Sequence, residues 1–95
     1  LLPSQDSEAL VLVKPQFEVG RHRVGKRGVV KDVNAHIESL EGVISAADNE
    51  KWKPKGIIPS PITGPAGNHE YLLWLGEERA DDLPSLADLV KKTLA

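Results

Sequence analysis

An α/β fold follows from three observations on this 95-residue chain. Ala9-Leu10-Val11-Leu12-Val13 is a short, Val-rich apolar run closed by Lys14 and Pro15. Residues 33–47 carry apolar side chains at helical spacing. Tyr71-Leu72-Leu73-Trp74-Leu75 is a second apolar run, entered from a loop rich in proline and glycine. Strands alternating with a long helix predict a sheet covered by helices.

Each element has a local cause. Leu1 to Glu8 is polar and reads as a loop entering the first strand. The continuous apolar run from Ala9 to Val13 suits a strand buried on both faces. Pro15 lacks an amide proton and stops it. Gln16 to Val30 holds Gly20, Gly25 and Gly28 among basic residues and is expected to be a long loop, the kind that is usually functional. Asp32 is a good N-cap. Val33, Ile37, Leu40, Val43, Ile44 and Ala47 then line one face of a helix over 33–47. Asp48 to Lys55 is a polar turn, and Gly56-Ile57-Ile58 is a short strand ending at Pro59. Ser60 to Asn68 is a loop of fixed turns. His69 to Leu75 is the longest strand, and Leu83 to Ala95 is a terminal helix with Pro84 in its first turn.

The predicted order is strand, helix, strand, strand, helix. A crossover helix makes the first two strands parallel. The connection from Ile58 to His69 is too short for another, so the last strand is antiparallel. It then begins on the edge where the first strand ends. Lys14 and Glu70 fall together on that carboxyl edge, where open α/β sheets bind ligands. A strand-end lysine can simply reach water. As a base it faces a difficulty, since an ordinary lysine has a pKa of about 10.4 and is charged at neutral pH. Desolvation or a second cation lowers that value, and a neighbouring carboxylate raises it. The pair is therefore an incomplete base catalyst that needs further groups.

Composition narrows the rest. The chain is 40% hydrophobic and 27% charged, with a net charge of −2 and no cysteine. Disulfides and thiolate metal sites are excluded. No apolar run approaches the roughly 20 residues of a membrane-spanning helix. His22, His36 and His69 lack metal-ligand spacing, and His36 reads as a helix-face residue. Trp52 and Trp74 read as core or surface cover. Residues 14–31 hold six cations against Glu18 alone, a local charge of +5. Arg21, Arg23, Lys26, Arg27 and Lys31 are thus candidates for contacting RNA phosphates. The chain opens at Leu1 without Met and reads as a piece of something longer.

Three ordered segments together resemble the TlyA family of FtsJ-like ribosomal RNA methyltransferases, also called haemolysins. They are Leu12-Val13-Lys14-Pro15-Gln16-Phe17-Glu18-Val19-Gly20, Val24-Gly25-Lys26-Arg27-Gly28-Val29-Val30-Lys31-Asp32, and Ser60-Pro61-Ile62-Thr63-Gly64-Pro65-Ala66-Gly67-Asn68-His69-Glu70-Tyr71-Leu72-Leu73-Trp74. The resemblance runs from about Ala9 to Leu75. It implies part of a Rossmann-like methyltransferase sheet, with residues 1–95 as the C-terminal part of the catalytic domain. It implies methyl transfer from S-adenosyl-L-methionine to a ribose 2′-hydroxyl of rRNA, with rRNA or ribosomal subunits as partners and a cytoplasmic or organellar location. By motif, Lys14 matches the second lysine of the family's Lys-Asp-Lys-Glu tetrad and Glu70 its glutamate. The first lysine, the aspartate, the cofactor-binding residues and the N-terminal RNA-binding domain are expected upstream of Leu1, so this chain alone is expected to be inactive. The alternative is a non-enzymatic RNA-binding module using residues 21–31. A membrane-active haemolysin ranks last, because the chain has no basic amphipathic helix of the membrane-surface kind.

Overall fold

The computed structural model describes residues 7–18, 25 and 28–95. Three strands and three helices follow one another: β1 (Ala9–Val13), α1 (Pro15–Glu18), α2 (Val33–Asn49), β2 (Lys53–Pro59), β3 (Tyr71–Gly76) and α3 (Leu86–Leu94). A short 3-10 turn, Pro65–Gly67, lies before β3. The sheet order is β1-β3-β2. β3 runs antiparallel to both neighbours, so β1 and β2 are parallel, as the crossover requires.

Both long helices cover one face of the sheet. Val13, Ile57, Tyr71, Leu73 and Leu75 form a core with Leu40 of α2 and Val90 of α3. The predicted helix face is the one that packs, with Val33, Ile37, Val43, Ile44 and Ala47 against that core. Trp52 also packs there, as cover for the core. The opposite sheet face is open. Leu10 is 68% exposed, Leu12 45% and Ile58 56%. β1 therefore alternates in burial, and the expectation of a strand covered on both faces does not hold for the described residues. The Val-rich run carried no polar alternation because the open face is itself apolar.

Several boundaries move for identifiable reasons. Residues 15–18, expected within a loop, form one helical turn. Pro15 presets its φ for the first helical position, and the amides of Phe17 and Glu18 bond the Lys14 carbonyl at 2.9 and 3.2 Å. β2 begins at Lys53, not Gly56. Pro54 is tolerated because β2 is an edge strand, and a register shift between Pro54 and Gly56 absorbs the mismatch. β3 starts at Tyr71, two residues later than expected. α3 starts at Leu86, because Ser85 caps it by accepting the Asp88 amide. Pro84 precedes that cap. Asp32 caps α2 as expected, accepting the Asn34 amide at 3.1 Å.

α2 ends in a Schellman motif. The Trp52 amide bonds the Ala47 carbonyl at 2.9 Å, and the Lys51 amide bonds that of Asp48 at 2.8 Å. Lys51 occupies the left-handed position, φ 66°. Glycine adopts that conformation without the Cβ clash, which costs about 1–2 kcal/mol. Part of the gain is lost to the greater freedom of glycine in the unfolded chain. Lys51→Gly should raise stability by about 0.5–1 kcal/mol, read as a higher urea midpoint at constant m-value.

Candidate functional site

The carboxyl end of β1 and the start of β3 meet at one sheet edge. Val13 is paired with Tyr71, so Lys14 and Glu70 occupy the next position along the same register. The backbone register thus brings positions 14 and 70 to one edge. By the period of two, both fall on the side of Leu12 and Leu72, opposite Val13 and Tyr71. Lys14 is half-buried, and its ammonium lies over the Phe17 ring, 5.5 Å from the centroid. Phe17 itself is exposed, on the single turn of α1.

Glu70 is buried, with 5% of its surface exposed. A buried carboxylate needs hydrogen-bond donors. Gln16 supplies one, Nε2 to Oε2 at 2.6 Å. The carboxylate also lies against Gly64, where an added Cβ would collide with Oε2. Gly64 is thus a packing requirement as well as a turn residue. The amide orientation of Gln16 has a cost, since its Oε1 is buried without a hydrogen-bond partner among the described residues. An unpaired buried acceptor costs about 1–3 kcal/mol. Reversing the amide would set two acceptors together, so the carboxylate dictates the orientation.

Two further polar residues hold the loops around this edge. Asn68 is buried, and its Oδ1 accepts the Val30 amide at 2.9 Å. Its Nδ2 donates to the carbonyls of Gly28 at 2.7 Å and Pro65 at 2.9 Å. One side chain thereby clips Gly28 and Val30 to the turn before Glu70. His36, read from the sequence as a helix-face residue, is fully buried. Its Nε2 lies 2.9 Å from the Val30 carbonyl, an acceptor only, so Nε2 carries the proton. Nδ1 then accepts from the Tyr71 hydroxyl at 2.8 Å. Val30 is held at its amide by Asn68 and at its carbonyl by His36. Burial pushes the Tyr71 hydroxyl up to about 12, so it remains a donor across the physiological range.

Of the candidate RNA contacts, Lys31 is exposed, one residue beyond the pinned Val30 and just before the α2 cap. Arg21, Arg23, Lys26 and Arg27 lie outside the described residues. Among the described residues no cluster of three His, Cys, Asp or Glu side chains could hold a metal ion. No described helix is long and apolar enough to cross a membrane. The strand-to-helix junction after β1 passes through Lys14 and Pro15, with none of the glycines that let a backbone wrap a nucleotide cofactor. That junction therefore offers no glycine cradle for a nucleotide cofactor. Gln16, Gly64 and Asn68 were not singled out from the sequence. Their only sequence signal is their place inside the matching segments.

Removing the Asn68 side chain leaves three backbone groups without their partner. Asn68→Ala should cost about 2–3 kcal/mol, checked by urea unfolding. His36 gives a pH signature. Burial, its largest influence, lowers its pKa below the ordinary 6.5 despite the Val30 hydrogen bond. Between the folded and unfolded values the unfolded chain binds a proton that the folded chain lacks. Stability should be full above about pH 6.5 and fall as the pH drops through the folded value. A lower urea midpoint at pH 5.5 than at pH 7.5, with the difference reduced in His36→Gln, is the expected result.

Residues 2–77 match the family model for FtsJ-like methyltransferase. The 16S/23S rRNA (cytidine-2′-O)-methyltransferase TlyA of Mycobacterium tuberculosis is 40% identical over 94 residues, covering 97% of this chain and 35% of that protein. The candidate rRNA methyltransferase YqxC of Bacillus subtilis is 46% identical over 82 residues, covering 82% of this chain and 29% of its own length. A crystal structure described as a candidate hemolysin from Lactococcus lactis superposes with a TM-score of 0.82 at 34% identity, over 94% of this chain and 44% of that one. The chain spans about a third of the length of these curated relatives, 35% and 29%.

Proposed function

The chain belongs to the FtsJ-like methyltransferase family, and on that basis we propose that it is the C-terminal part of a methyltransferase domain acting on a ribose 2′-hydroxyl of rRNA. The observation that supports this reading is the register of β1 on β3, which brings positions 14 and 70 to one sheet edge, where Glu70 is buried and hydrogen-bonded. The share of the relatives' length that the chain spans supports its assignment as one part of such a domain.

S-adenosyl-L-methionine would supply an electrophilic methyl group to such an enzyme and leave as the thioether. This chain's share of the chemistry is at the acceptor hydroxyl. That hydroxyl must lose its proton as its oxygen forms a bond to carbon. Lys14, as the free amine, takes the proton through Nζ and becomes the ammonium. The family's tetrad implies a further lysine, outside the described residues, that completes the base. Glu70 orients the lysine or the hydroxyl, and correct placement supplies much of the rate. Burial helps here, because a carboxylate packed against Gly64 and bonded by Gln16 has one position. The loop from Arg21 to Lys31 supplies cations for rRNA phosphates. Its exit is tied to the same edge through Val30 and Asn68.

In the full-length protein, Lys14→Ala and Glu70→Ala should each reduce methyl transfer to rRNA to background, with unchanged far-UV circular dichroism. Incorporation of labelled methyl groups measures this. Wild-type turnover in either variant removes the assigned role.

A further inference from the structure

We propose that Gln16 is a positioning residue for the reaction, acting through Glu70, an inference that rests on the methyltransferase reading above. Three observations carry it. Gln16 Nε2 donates to Glu70 Oε2 at 2.6 Å, across 54 residues of sequence. Gly64 lies against the same carboxylate, leaving no room there for a Cβ. Finally, Oε1 of Gln16 is buried and has no hydrogen-bond partner among the described residues. The amide is turned so that its nitrogen, the donor, meets the carboxylate.

The geometry explains why position 16 is suited to the task. Pro15 starts α1 at once after Lys14, and the Phe17 and Glu18 amides close its turn on the Lys14 carbonyl. Lys14 and Gln16 are therefore held by one rigid turn. Gln16 reaches back across the edge to the carboxylate that stands beside Lys14 in the register. The lysine and the group that orients the glutamate move as a unit, and a small displacement at such a site can lower the rate by about a hundredfold.

The test is Gln16→Met in the full-length protein, with Lys14→Ala and Glu70→Ala assayed beside it. Methionine has similar length and shape, removes the donor, and also removes the unpaired acceptor. The expected result is kcat lowered about ten- to a hundredfold, KM for rRNA within about twofold, and a melting temperature equal to or above wild type. A structural role cannot lower kcat while leaving the fold as stable or more so. Wild-type kcat in Gln16→Met overturns the proposal, as does a loss of kcat that accompanies a lower melting temperature. If Glu70→Ala stays active while Gln16→Met does not, Gln16 has nothing to act through, and the proposal fails. If both Lys14→Ala and Glu70→Ala stay active, the methyltransferase assignment of this edge fails as well. If those two are inactive and Gln16→Met is normal, only the positioning role is lost.

Discussion

Tyr71 to Gly76 must pair on both sides, and the rest of the structure depends on that insertion. β3 is the only described strand with two neighbours, β1 along one side and β2 along the other. Its inward residues Tyr71, Leu73 and Leu75 are all buried, and α2 and α3 pack onto the same face. The pairing also sets the site. Because Val13 is paired with Tyr71, the residue after one and the residue before the other share an edge. A slip of one residue would turn Glu70 to the other face and expose the core side of β3. The apolar pattern that stabilises the sheet therefore also fixes the spacing of the two charges.

A buried polar network converts that register into defined loops. The Tyr71 hydroxyl donates to His36, His36 donates to the Val30 carbonyl, and Asn68 takes the Val30 amide. Each of these groups is expensive to bury alone and acceptable when paired. The core strand, the long helix, the exit of the basic loop and the turn before Glu70 are thus joined by hydrogen bonds as well as by apolar contact. Backbone strain sits in the same turn. Ala66 adopts φ 59° where glycine or asparagine is favoured, and Gly67 follows at φ 81°. The turn brings Gly64 against the carboxylate, so strained backbone and close packing lie together beside the candidate catalytic residue.

Much of this was legible in the chain itself. The Asp32 cap and the spacing from Val33 to Ala47 gave α2 to within two residues, because both signals are local and periodic. The short connection between Ile58 and His69 required an antiparallel last strand, and from that the meeting of Lys14 with Glu70 followed. The one-sided burial of β1 was not legible, since an open apolar face and a covered one look alike in a run of Val and Leu. Pro54 hid the start of β2, because a proline inside a strand is acceptable only at an edge, and edges are known only once the sheet order is known.

The sequence by itself determined the three strands and the two longer helices, their order, the polarity of the strands and the family. These rest on turn chemistry, periodicity and motif, which act over a few residues. Only the tertiary structure decided what surrounds the two charges. Gln16 meets Glu70 across 54 positions and Asn68 meets Val30 across 38. Contacts of that range leave no period in the chain. They exist only when β3 lies between β1 and β2, because the register alone brings such distant side chains within hydrogen-bond reach.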